Sequence, residues 1–338
     1  MPPGGKISAL RERSVRVKIV IPGGSGELGT IIGKAFAENG YEVVILSRSN
    51  SSTTEKGITY VQWDGISPGP WMQQIDGSDL VFNLAGRSVN CRYTDATRQE
   101  IMESRVLSTR AVGRAIEIAN NPPPLWINMS TATIYAHSYD KGNDEFTGII
   151  GGEEPNAPKS WGFSIKVAKA WEEAVDNAAV PSLVRKVKLR SAVVMTPDPG
   201  GPFSIMSKLV RLGLGGKNAS GKQMISWISD QDFIKSIFFI LNNPQLDDIV
   251  NVTSPNPLAN AVFMKVLREA WGNPIGLPAA EWMLSIGAVL LKTETELVLK
   301  SRYVLPGKLL QAGFTFEQAQ WPEAAADLVE RTRSSRRH

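Results

Sequence analysis

Cysteine and histidine are scarce in this 338-residue chain, which contains one cysteine and two histidines. The single cysteine, Cys91, excludes a disulfide within the chain and a metal site built from several thiolates. His137 and His338 are too few to form a histidine cage around zinc. We therefore predict that the chain has no metal site.

Long apolar runs are also missing. The N-terminus, MPPGGKISALRERS, lacks an apolar segment of signal-peptide length. The longest apolar stretch near the C-terminus, residues 282–291, is too short to span a bilayer. These absences predict a soluble, cytoplasmic protein that does not enter a membrane.

The formal net charge is only +4, and part of it comes from arginines in the two terminal tails. We interpret the tails as solvated ends. Between them the sequence has no basic stripe with interleaved aromatic residues, the pattern typical of nucleic-acid binding. The expected partner is therefore a small-molecule substrate and not a nucleic acid.

What the sequence does contain is an alternation of short β-branched segments with amphipathic ones. Strands are predicted at residues 17–21, 42–47, 59–63, 80–84, 126–130 and 187–194, with helices at 28–39 and 95–120. Strands that alternate with helices form a parallel sheet covered on both faces. We therefore predict an α/β fold with a doubly wound, Rossmann-type parallel sheet over residues 15–197.

After residue 197 the alternation stops. A glycine-rich stretch over residues 199–221 is followed by helical patterns at 232–241, 260–271, 279–291 and 318–331. These patterns predict a smaller, mainly helical region over residues 198–335 that lies at the carboxyl edge of the sheet and faces the substrate.

Three glycines, Gly23, Gly26 and Gly29, lie between the first predicted strand and the first helix. The first glycine permits a tight turn, the second lets the backbone approach a phosphate, and the third lets helix and strand pack closely. The helix N-terminus, which contains Glu27 and Leu28, adds oriented N–H groups and the positive end of the helix dipole. The run IPGGSGELG therefore predicts a site for the pyrophosphate of a dinucleotide.

The second strand ends in Ser47 and Arg48, where a protein selective for NAD usually places an acidic residue. Arginine pairs with a ribose 2′-phosphate through its planar fork, whereas a carboxylate would repel that phosphate. This favours NADP(H) as the cofactor; the alternative is that Arg48 is only a solvated residue at a loop tip.

Two later segments complete the predicted cofactor site. Asp64 follows the third strand and is placed to accept a hydrogen bond from the adenine amino group. Trp63 either flanks the adenine ring or belongs to the core. The turn after the fourth strand has small residues that let the backbone pass close to the ribose and diphosphate: Asn83, Leu84, Ala85 and Gly86.

These motifs resemble a known family. GGSGELG, the NLAG turn and STATIY at residues 130–135 are similar to the extended short-chain dehydrogenases/reductases, which include nucleotide-sugar epimerases and dehydratases. KAWEEA, SWISDQDF and ETELVLKSRYVLPGKLLQAGFTF, at residues 169–174, 226–233 and 294–316, resemble an atypical branch called epimerase family proteins. That branch has its own C-terminal domain. The resemblance covers nearly the whole chain and implies a nucleotide-binding Rossmann fold.

The family resemblance also implies catalytic residues. A serine or threonine on the fifth strand should bind the reacting oxygen, and Thr131, with Ser130 beside it, matches that position. A tyrosine that carries the proton, with a lysine four residues after it, should follow in the window PKSWGFSIKVAKAWEEA. That window contains no tyrosine.

Phe163 or Ser164 occupies the expected tyrosine position, and neither side chain exchanges a proton as a phenol does. Lys166 or Lys169 is a candidate for the lysine, although Lys169 and Glu173 have the spacing of an ion pair on an exposed helix face. The usual combination of hydride and proton transfer therefore lacks its proton carrier. A replacement would have to come from elsewhere in the pocket.

Several residues are candidates for that role or for substrate binding. Tyr135 follows the fifth strand and could face the substrate, and His137 titrates near neutrality, although a surface loop is its alternative. Cys91 follows the NLAG turn and is also a candidate; the alternative is that it is only a small, buried apolar residue. Three arginines near the same loop could clamp an anionic substrate or could simply be solvated: Arg87, Arg92 and Arg105.

The C-terminal region supplies further candidates. Trp227 and Asp232 match a family loop that touches the substrate domain, although Asp232 is equally suited to cap the helix that begins there. Arg211 and Gln223 lie near the glycine-rich segment that we expect to cover the substrate.

We therefore expect an NADP(H)-dependent oxidoreductase or epimerase-like enzyme with an unconventional proton donor. The missing tyrosine favours an alternative, an inactive NADP(H)-binding sensor or regulatory protein. A third possibility is that the nucleotide only stabilises the fold. The helix predicted at residues 95–120 is a candidate surface for a homodimer.

Overall fold

The computed structural model describes residues 17–49, 54–55, 57–154, 157–284 and 294–335. Within them the strands are β1 (Lys18–Pro22), β2 (Glu42–Ser47), β3 (Thr54–Glu55), β4 (Ile58–Gln62), β5 (Leu80–Asn83), β6 (Leu125–Thr131), β7 (Arg185–Ser191), β8 (Val193–Met195), β9 (Met224–Ile225), β10 (Trp227–Ser229), β11 (Asp248–Val252) and β12 (Leu258–Ala259). The α-helices with both ends described are α1 (Glu27–Glu38), α2 (Asp95–Glu117), α3 (Gly162–Asp176), α4 (Pro202–Arg211), α5 (Asp230–Asn242), α6 (Asn260–Trp271), α7 (Glu296–Leu299), α8 (Gly307–Gln311) and α9 (Trp321–Ser335).

The main sheet has the strand order β11-β7-β6-β5-β1-β2-β4-β3. Its neighbours pair in parallel except β3, which pairs antiparallel with β4 at one edge. The chain starts at β1 in the middle, runs outward through β2 and β4, and then returns to β5 and runs the other way to β11. This confirms the doubly wound, Rossmann-type fold. The reversal lies between β1 and β5, where such sheets bind ligands beyond the carboxyl ends of the strands.

The main sheet is buried on both faces. In β1, Ile19 and Ile21 belong to a core that includes Phe36 of α1, whereas Val20 belongs to the core of the opposite face together with Trp126 of β6. All five side chains are fully buried. A sheet packed on both sides holds its strands rigidly, so the residues at their carboxyl ends have fixed positions.

A third core holds the C-terminal region together. It combines residues of α4, α6 and α9, and at its centre Phe263 stacks on Trp321 with ring centroids 3.9 Å apart. Trp227 meets Trp321 edge-on at 4.9 Å. These rings are fully buried, which explains how α9 and β10 stay joined across a large separation in sequence.

Two features of the sheet were not predicted. The segment predicted as one strand at 187–194 is two, because the chain leaves the main sheet after Ser191 and β8 pairs with β10 instead. Strand β11 lies beyond residue 197 yet completes the main sheet beside β7. The division at 197/198 and the homodimer stay predictions. Of the helix predicted at 279–291, residues 281–284 are helical and residues 285–291 lie outside the described part.

Two absences are limited to the described part of the chain. None of its helices is long and apolar enough to cross a membrane. It likewise has no group of three or more His, Cys, Asp or Glu side chains that could hold a metal ion.

Candidate functional site

The glycine loop between β1 and α1 packs closely against the neighbouring backbone. Gly23 has a φ of +75°, and a Cβ there would come within 2.5 Å of Ala85 Cα. A Cβ on Gly29 would lie 2.3 Å from the Gly24 backbone. At Gly26, in contrast, a Cβ would meet no protein atom within 4 Å. The loop is therefore open only at its middle glycine, which fits a phosphate that approaches the backbone there.

Helix α1 begins directly after this opening. Gly26 is its N-cap and supplies no side-chain cap, so the first N–H groups of the helix are available to an anion. The Glu27 carboxylate accepts a hydrogen bond from the Thr196 hydroxyl and lies beside Gly201 at the start of α4. This contact joins the glycine loop to the C-terminal region.

The end of β2 places a cation beside the loop. Ser47 is buried, and its hydroxyl shares a 2.9 Å hydrogen bond with the hydroxyl of Ser49. Arg48, between them, is exposed. The exposed guanidinium therefore lies at the carboxyl end of β2, the position at which the sequence predicts recognition of a ribose 2′-phosphate.

The Asp64 carboxylate has a structural function in its own loop, and its contact with adenine stays a prediction. Its Oδ1 accepts hydrogen bonds from the N–H groups of Ile66 and Ser67, each 2.8 Å long. Hydrogen bonds from Ser67 and Ile66 lower the pKa of the carboxyl, so it stays an ionised acceptor. Trp63 belongs to the core: it is 4% exposed and packs against Trp71 with centroids 4.6 Å apart.

The NLAG turn after β5 is held from inside the protein. Asn83 is fully buried; its Oδ1 accepts the N–H of Ala85 at 3.1 Å, and its Nδ2 donates to Asn128 Oδ1 at 2.8 Å. On the other side of the turn, the absence of a side chain at Gly86 makes room for Arg105. The turn therefore has a fixed shape. Together with the glycine loop and Asp64, it provides a cradle that fits a dinucleotide.

A cavity of about 350 Å³ opens next to this cradle, and the cradle and the end of β6 share it. Its polar and charged lining residues come from both halves of the chain: Glu27, Tyr93, Arg105, Ser130, Thr131, Thr133, Ser164, Ser191 and Arg302.

The two predicted hydroxyl residues of β6 have different hydrogen-bond states. Ser130 is 4% exposed and donates its proton to Glu172 Oε1 at 2.6 Å. Thr131 Oγ1 accepts the N–H of Thr133 at 3.1 Å, which leaves the Thr131 hydroxyl proton for another acceptor. Thr131 is therefore suited to donate to a substrate oxygen, whereas Ser130 is held by Glu172.

The helix expected to carry the proton carrier does face the cavity. Phe163 and Ser164, at the start of α3, both line it. Lys166 and Lys169 are exposed and do not line it, so neither can take the part of the missing lysine. Helix α3 therefore supplies a hydroxyl and an aromatic ring to the cavity, but neither a phenol nor a cation.

A phenol reaches the same place from the loop before α2. The Tyr93 ring meets Phe163 edge-on at 5.2 Å, and the Tyr93 phenol interacts with the Ser164 hydroxyl. The Tyr93 N–H donates to Glu294 Oε1 at 2.7 Å, which fastens this loop to the C-terminal region. Burial and the nearby Glu296 raise the pKa of Tyr93, whereas Ser164 acts in the opposite direction. Sequence reasoning missed Tyr93 because its position before α2 gives no local signal.

Two family models match parts of the sequence. The model of the NAD dependent epimerase/dehydratase family matches residues 19–158, and that of a domain of unknown function, DUF1731, matches residues 279–328. The epimerase family protein YfhF of Bacillus subtilis is 31% identical over 317 residues, which cover 93% of this chain and 98% of that protein. The chain belongs to the epimerase family.

Solved structures share the fold of this family member. The human epimerase family protein SDR39U1 (isoform 2), solved with NADPH, superposes with a TM-score of 0.79 at 24% identity, covering 93% of this chain and 99% of that one. A nucleoside-diphosphate sugar epimerase from Corynebacterium glutamicum gives a TM-score of 0.70 at 23% identity, covering 93% of this chain and 58% of that one. At these identities the likeness shows the fold alone.

In this epimerase-family chain, two candidates for the proton carrier lie outside the cavity lining. Tyr135 is 2% exposed, and its hydroxyl donates to Asn251 Oδ1 at 3.0 Å. His137 is half-buried, and its Nδ1 accepts the N–H of Ser301 at 2.8 Å. Neither lines the cavity, and the catalytic roles considered for Tyr135 and His137 stay predictions.

Other predicted contacts of this region also lie elsewhere. Arg87 forms an ion pair with Glu100, Arg92 is exposed, and Cys91 is half-buried. None of these three predicted residues lines the cavity. Of the four arginine and cysteine candidates, only Arg105 does.

The C-terminal candidates are structural. Ser229, not Asp232, caps α5; the Asp232 carboxylate is fully buried and accepts the N–H groups of the residues before α9. Trp227 is buried in the third core, and Gln223 Nε2 donates to backbone carbonyls. Arg211 lies over a tryptophan ring at the end of α4. None of the four lines the cavity.

Proposed function

We propose that this chain is an NADP(H)-dependent oxidoreductase or epimerase-like enzyme of the atypical extended short-chain dehydrogenase/reductase class. The observation that carries the proposal is the shared cavity. It is lined by Glu27 and Leu28, which begin the helix of the nucleotide cradle, and by Thr131, whose hydroxyl can donate to a reacting oxygen. A cradle in contact with a mainly apolar cavity that holds a few polar groups is what transfer to a small substrate requires.

The choice of NADP(H) rests on Arg48. It is the exposed residue at the carboxyl end of β2, where the ribose 2′ position of a bound dinucleotide is recognised. An arginine there favours a 2′-phosphate. The human relative solved with NADPH supports the same choice.

Equilibrium titration with both cofactors tests this choice. Arg48→Asp should weaken NADPH binding at least tenfold while changing NADH binding little, because the new carboxylate repels only the extra phosphate. Arg114→Asp, an equal change of charge at an exposed position on α2, is the matched control and should leave both affinities unchanged. Equal losses for NADPH and NADH in Arg48→Asp would contradict the assignment.

The cavity residues divide the remaining chemistry between them. NADPH, when bound, supplies a hydride. Thr131 donates a hydrogen bond to the substrate oxygen, and Tyr93 supplies the proton which that oxygen needs as the carbonyl becomes an alcohol. The Ser164 hydroxyl donates to Glu296, and the Ser130 hydroxyl beside Thr131 donates to Glu172.

Removing one oxygen atom tests the role of Tyr93. Tyr93→Phe keeps the ring contact with Phe163 and removes the phenol, so turnover should fall by roughly 10²–10⁴ with NADPH affinity unchanged. The substrate for this assay comes from a screen of carbonyl compounds and sugar nucleotides for NADPH oxidation. Tyr135→Phe, which removes a hydroxyl outside the cavity, should retain turnover. Full activity in Tyr93→Phe would exclude Tyr93 as the proton donor.

The second candidate function is an inactive NADP(H) sensor. The observation in its favour is that α3 presents Phe163 and Ser164 to the cavity where its relatives are expected to have a tyrosine. The screen separates the two functions. Tight NADPH binding without turnover of any compound would favour the sensor.

A further inference from the structure

Two guanidinium groups face the cavity from different parts of the chain. Arg105 belongs to α2, and Arg302 lies between α7 and α8. Among the ion pairs of the described residues, all within 4.0 Å, neither arginine takes part. Within the described residues, therefore, neither guanidinium has a carboxylate oxygen within 4.0 Å.

Neutral groups fix the position of each guanidinium. Arg105 Nη1 donates to the Ile101 carbonyl at 3.1 Å, and its head lies 5.0 Å from the centre of the Trp171 ring. Arg302 Nε donates to Thr133 Oγ1 at 3.0 Å, and its other nitrogens donate to carbonyls at the end of α7. These contacts orient the two heads and leave their charge in place. Arg105 keeps N–H donors that can turn to a ligand.

Two other arginines, which have structural roles, serve as a comparison for the guanidinium groups of the cavity. Arg190 has a bidentate pair with Glu172, and Arg331 has one with Asp230. Their pKa is raised because the carboxylates outweigh desolvation. Burial lowers the pKa of Arg105 to about 10 and also lowers that of Arg302. The cavity arginines thus lack the counter-charge that the structural ones have.

The acidic groups around the cavity do not supply it. Glu296 interacts electrostatically with Arg302; its carboxyl accepts the Ser164 hydroxyl at 2.7 Å, and burial raises its pKa. Lys300 Nζ, 4.0 Å from Glu296, offsets its charge. Glu27 lies at the cradle end and accepts a hydrogen bond from Thr196. Glu294 also lies near this end, where its Oε1 accepts the Tyr93 N–H at 2.7 Å. Among the residues that line the cavity, Arg105 and Arg302 are the cations and Glu27 is the one carboxylate.

We propose that this end of the cavity is an anion site, and that the substrate is a small carbonyl or alcohol compound whose carboxylate or phosphate pairs with Arg105 and Arg302. The proposal deepens the proposed function and rests on it. A cavity of about 350 Å³ is at the small end of the range for ligand sites. It therefore favours a compact anion whose reacting carbon lies close to its charged group.

Matched pairs of probes that differ in charge test the anion site. The first pair is pyruvate and its methyl ester; the second is dihydroxyacetone phosphate and dihydroxyacetone. Each is titrated by calorimetry into the protein saturated with NADP⁺, which cannot reduce a carbonyl. Absorbance at 340 nm, where NADPH absorbs, checks that no hydroxyl group of the probe is oxidised during the titration. The anionic member of at least one pair should bind at least tenfold more tightly than its neutral twin. The pair that shows the preference distinguishes a carboxylate from a phosphate.

Three variants assign the preference to the cavity. Arg105→Gln should remove most of it, Arg105→Lys should restore part of it, and Arg114→Gln, on the exposed part of the same helix, should retain it fully. NADP⁺ affinity should be the same in all three. Circular dichroism checks the fold, and Arg105→Lys keeps the comparison meaningful if Arg105→Gln is destabilised.

The outcomes separate this proposal from the proposed function. The anion site alone would be overturned if the protein binds NADP⁺ but binds the anionic and neutral probes equally well. It would also be overturned if the protein binds NADP⁺ but neither anionic probe binds saturably. Loss of NADP⁺ affinity in Arg105→Gln would also overturn it, because Arg105 would then bind the cofactor. Absence of NADP⁺ and NADPH binding in the wild type would overturn the proposed function instead.

Discussion

The buried ion pair beneath Ser130 provides the sharpest test of how this site is held. Glu172, on α3, accepts Arg190 Nε at 2.8 Å and Nη2 at 2.7 Å, and it also accepts the Ser130 hydroxyl at 2.6 Å. Glu172 and Arg190 are 7% and 5% exposed. Glu172→Gln keeps the shape of the side chain and removes the charge, so Arg190 would stay buried with no carboxylate partner.

The expected loss of unfolding free energy is large because the arginine charge remains. Removing one partner of a buried pair costs roughly 3–5 kcal/mol, since the other charge is then buried without compensation. Glutamine retains one oxygen acceptor, so we expect about 3 kcal/mol, at the lower end. The pair Arg114–Glu117 serves as the comparison for an ion pair in contact with solvent, because its side chains are 59% and 35% exposed. A Glu117→Gln change should cost about 0–1 kcal/mol.

Urea unfolding followed by circular dichroism measures both variants. The slope of the unfolding free energy against urea concentration should be the same as in the wild type. The variants should therefore differ from it in the urea concentration at the midpoint of unfolding. A loss below about 1 kcal/mol in Glu172→Gln, comparable to that of an exposed pair, would refute the view that this ion pair holds the end of β6. So would equal losses in Glu172→Gln and Glu117→Gln.

Two further predictions concern the cradle and the pH dependence of stability. A Cβ on Gly29 would collide with the Gly24 backbone, so Gly29→Ala should lower both thermal stability and NADPH affinity. A Cβ on Gly26 would meet no protein atom within 4 Å, so Gly26→Ala should lower NADPH affinity alone. Equal thermal stability of the two variants would contradict this geometry. Burial and Arg302 lower the pKa of Lys300 from 10.5 to about 8, so the unfolded chain binds more protons between these pH values. The unfolding free energy of the wild type should therefore rise relative to Lys300→Met by up to about 3 kcal/mol between pH 8 and 10.5, and urea titrations that show no such rise would exclude it.

The sequence was sufficient to predict the cradle because its signals are local. The strand that becomes β2 was predicted with the bounds it has, Glu42–Ser47, and the glycine loop needs only neighbouring residues to define it. The short strand β11 was missed since its five residues follow a region without strand and helix alternation. Its partner β7 lies far away in the sequence, so only the folded sheet reveals the pairing.

The cavity could be predicted only in part, for a related reason. Thr131 was predicted because a family motif surrounds it. Tyr93 belongs to no such motif. Arg302 lies within the family motif at residues 294–316 but carries no signal of its own there. Both reach the cavity through contacts between segments that are far apart in sequence. The bond from Ser164 to Glu296, for example, joins residues 132 positions apart. Hydrogen bonds of this kind form only when distant segments of the chain pack together. They therefore leave no periodic pattern in the sequence.

The arrangement of the cavity argues for retained chemistry more strongly than the missing tyrosine argues against it. A sensor needs only the cradle, and a cavity beside it would be more stable with apolar residues than with guanidinium groups that lack carboxylates. The fold nevertheless keeps Arg105 and Arg302 oriented by neutral contacts. The Tyr93 ring, which comes from the loop before α2, also contacts Phe163 edge-on. Because Tyr93 and Thr131 line one cavity with these arginines, the groups needed to bind an anion and to transfer a proton occur together. The loss of the usual tyrosine is therefore better explained by a relocated proton donor than by lost catalysis.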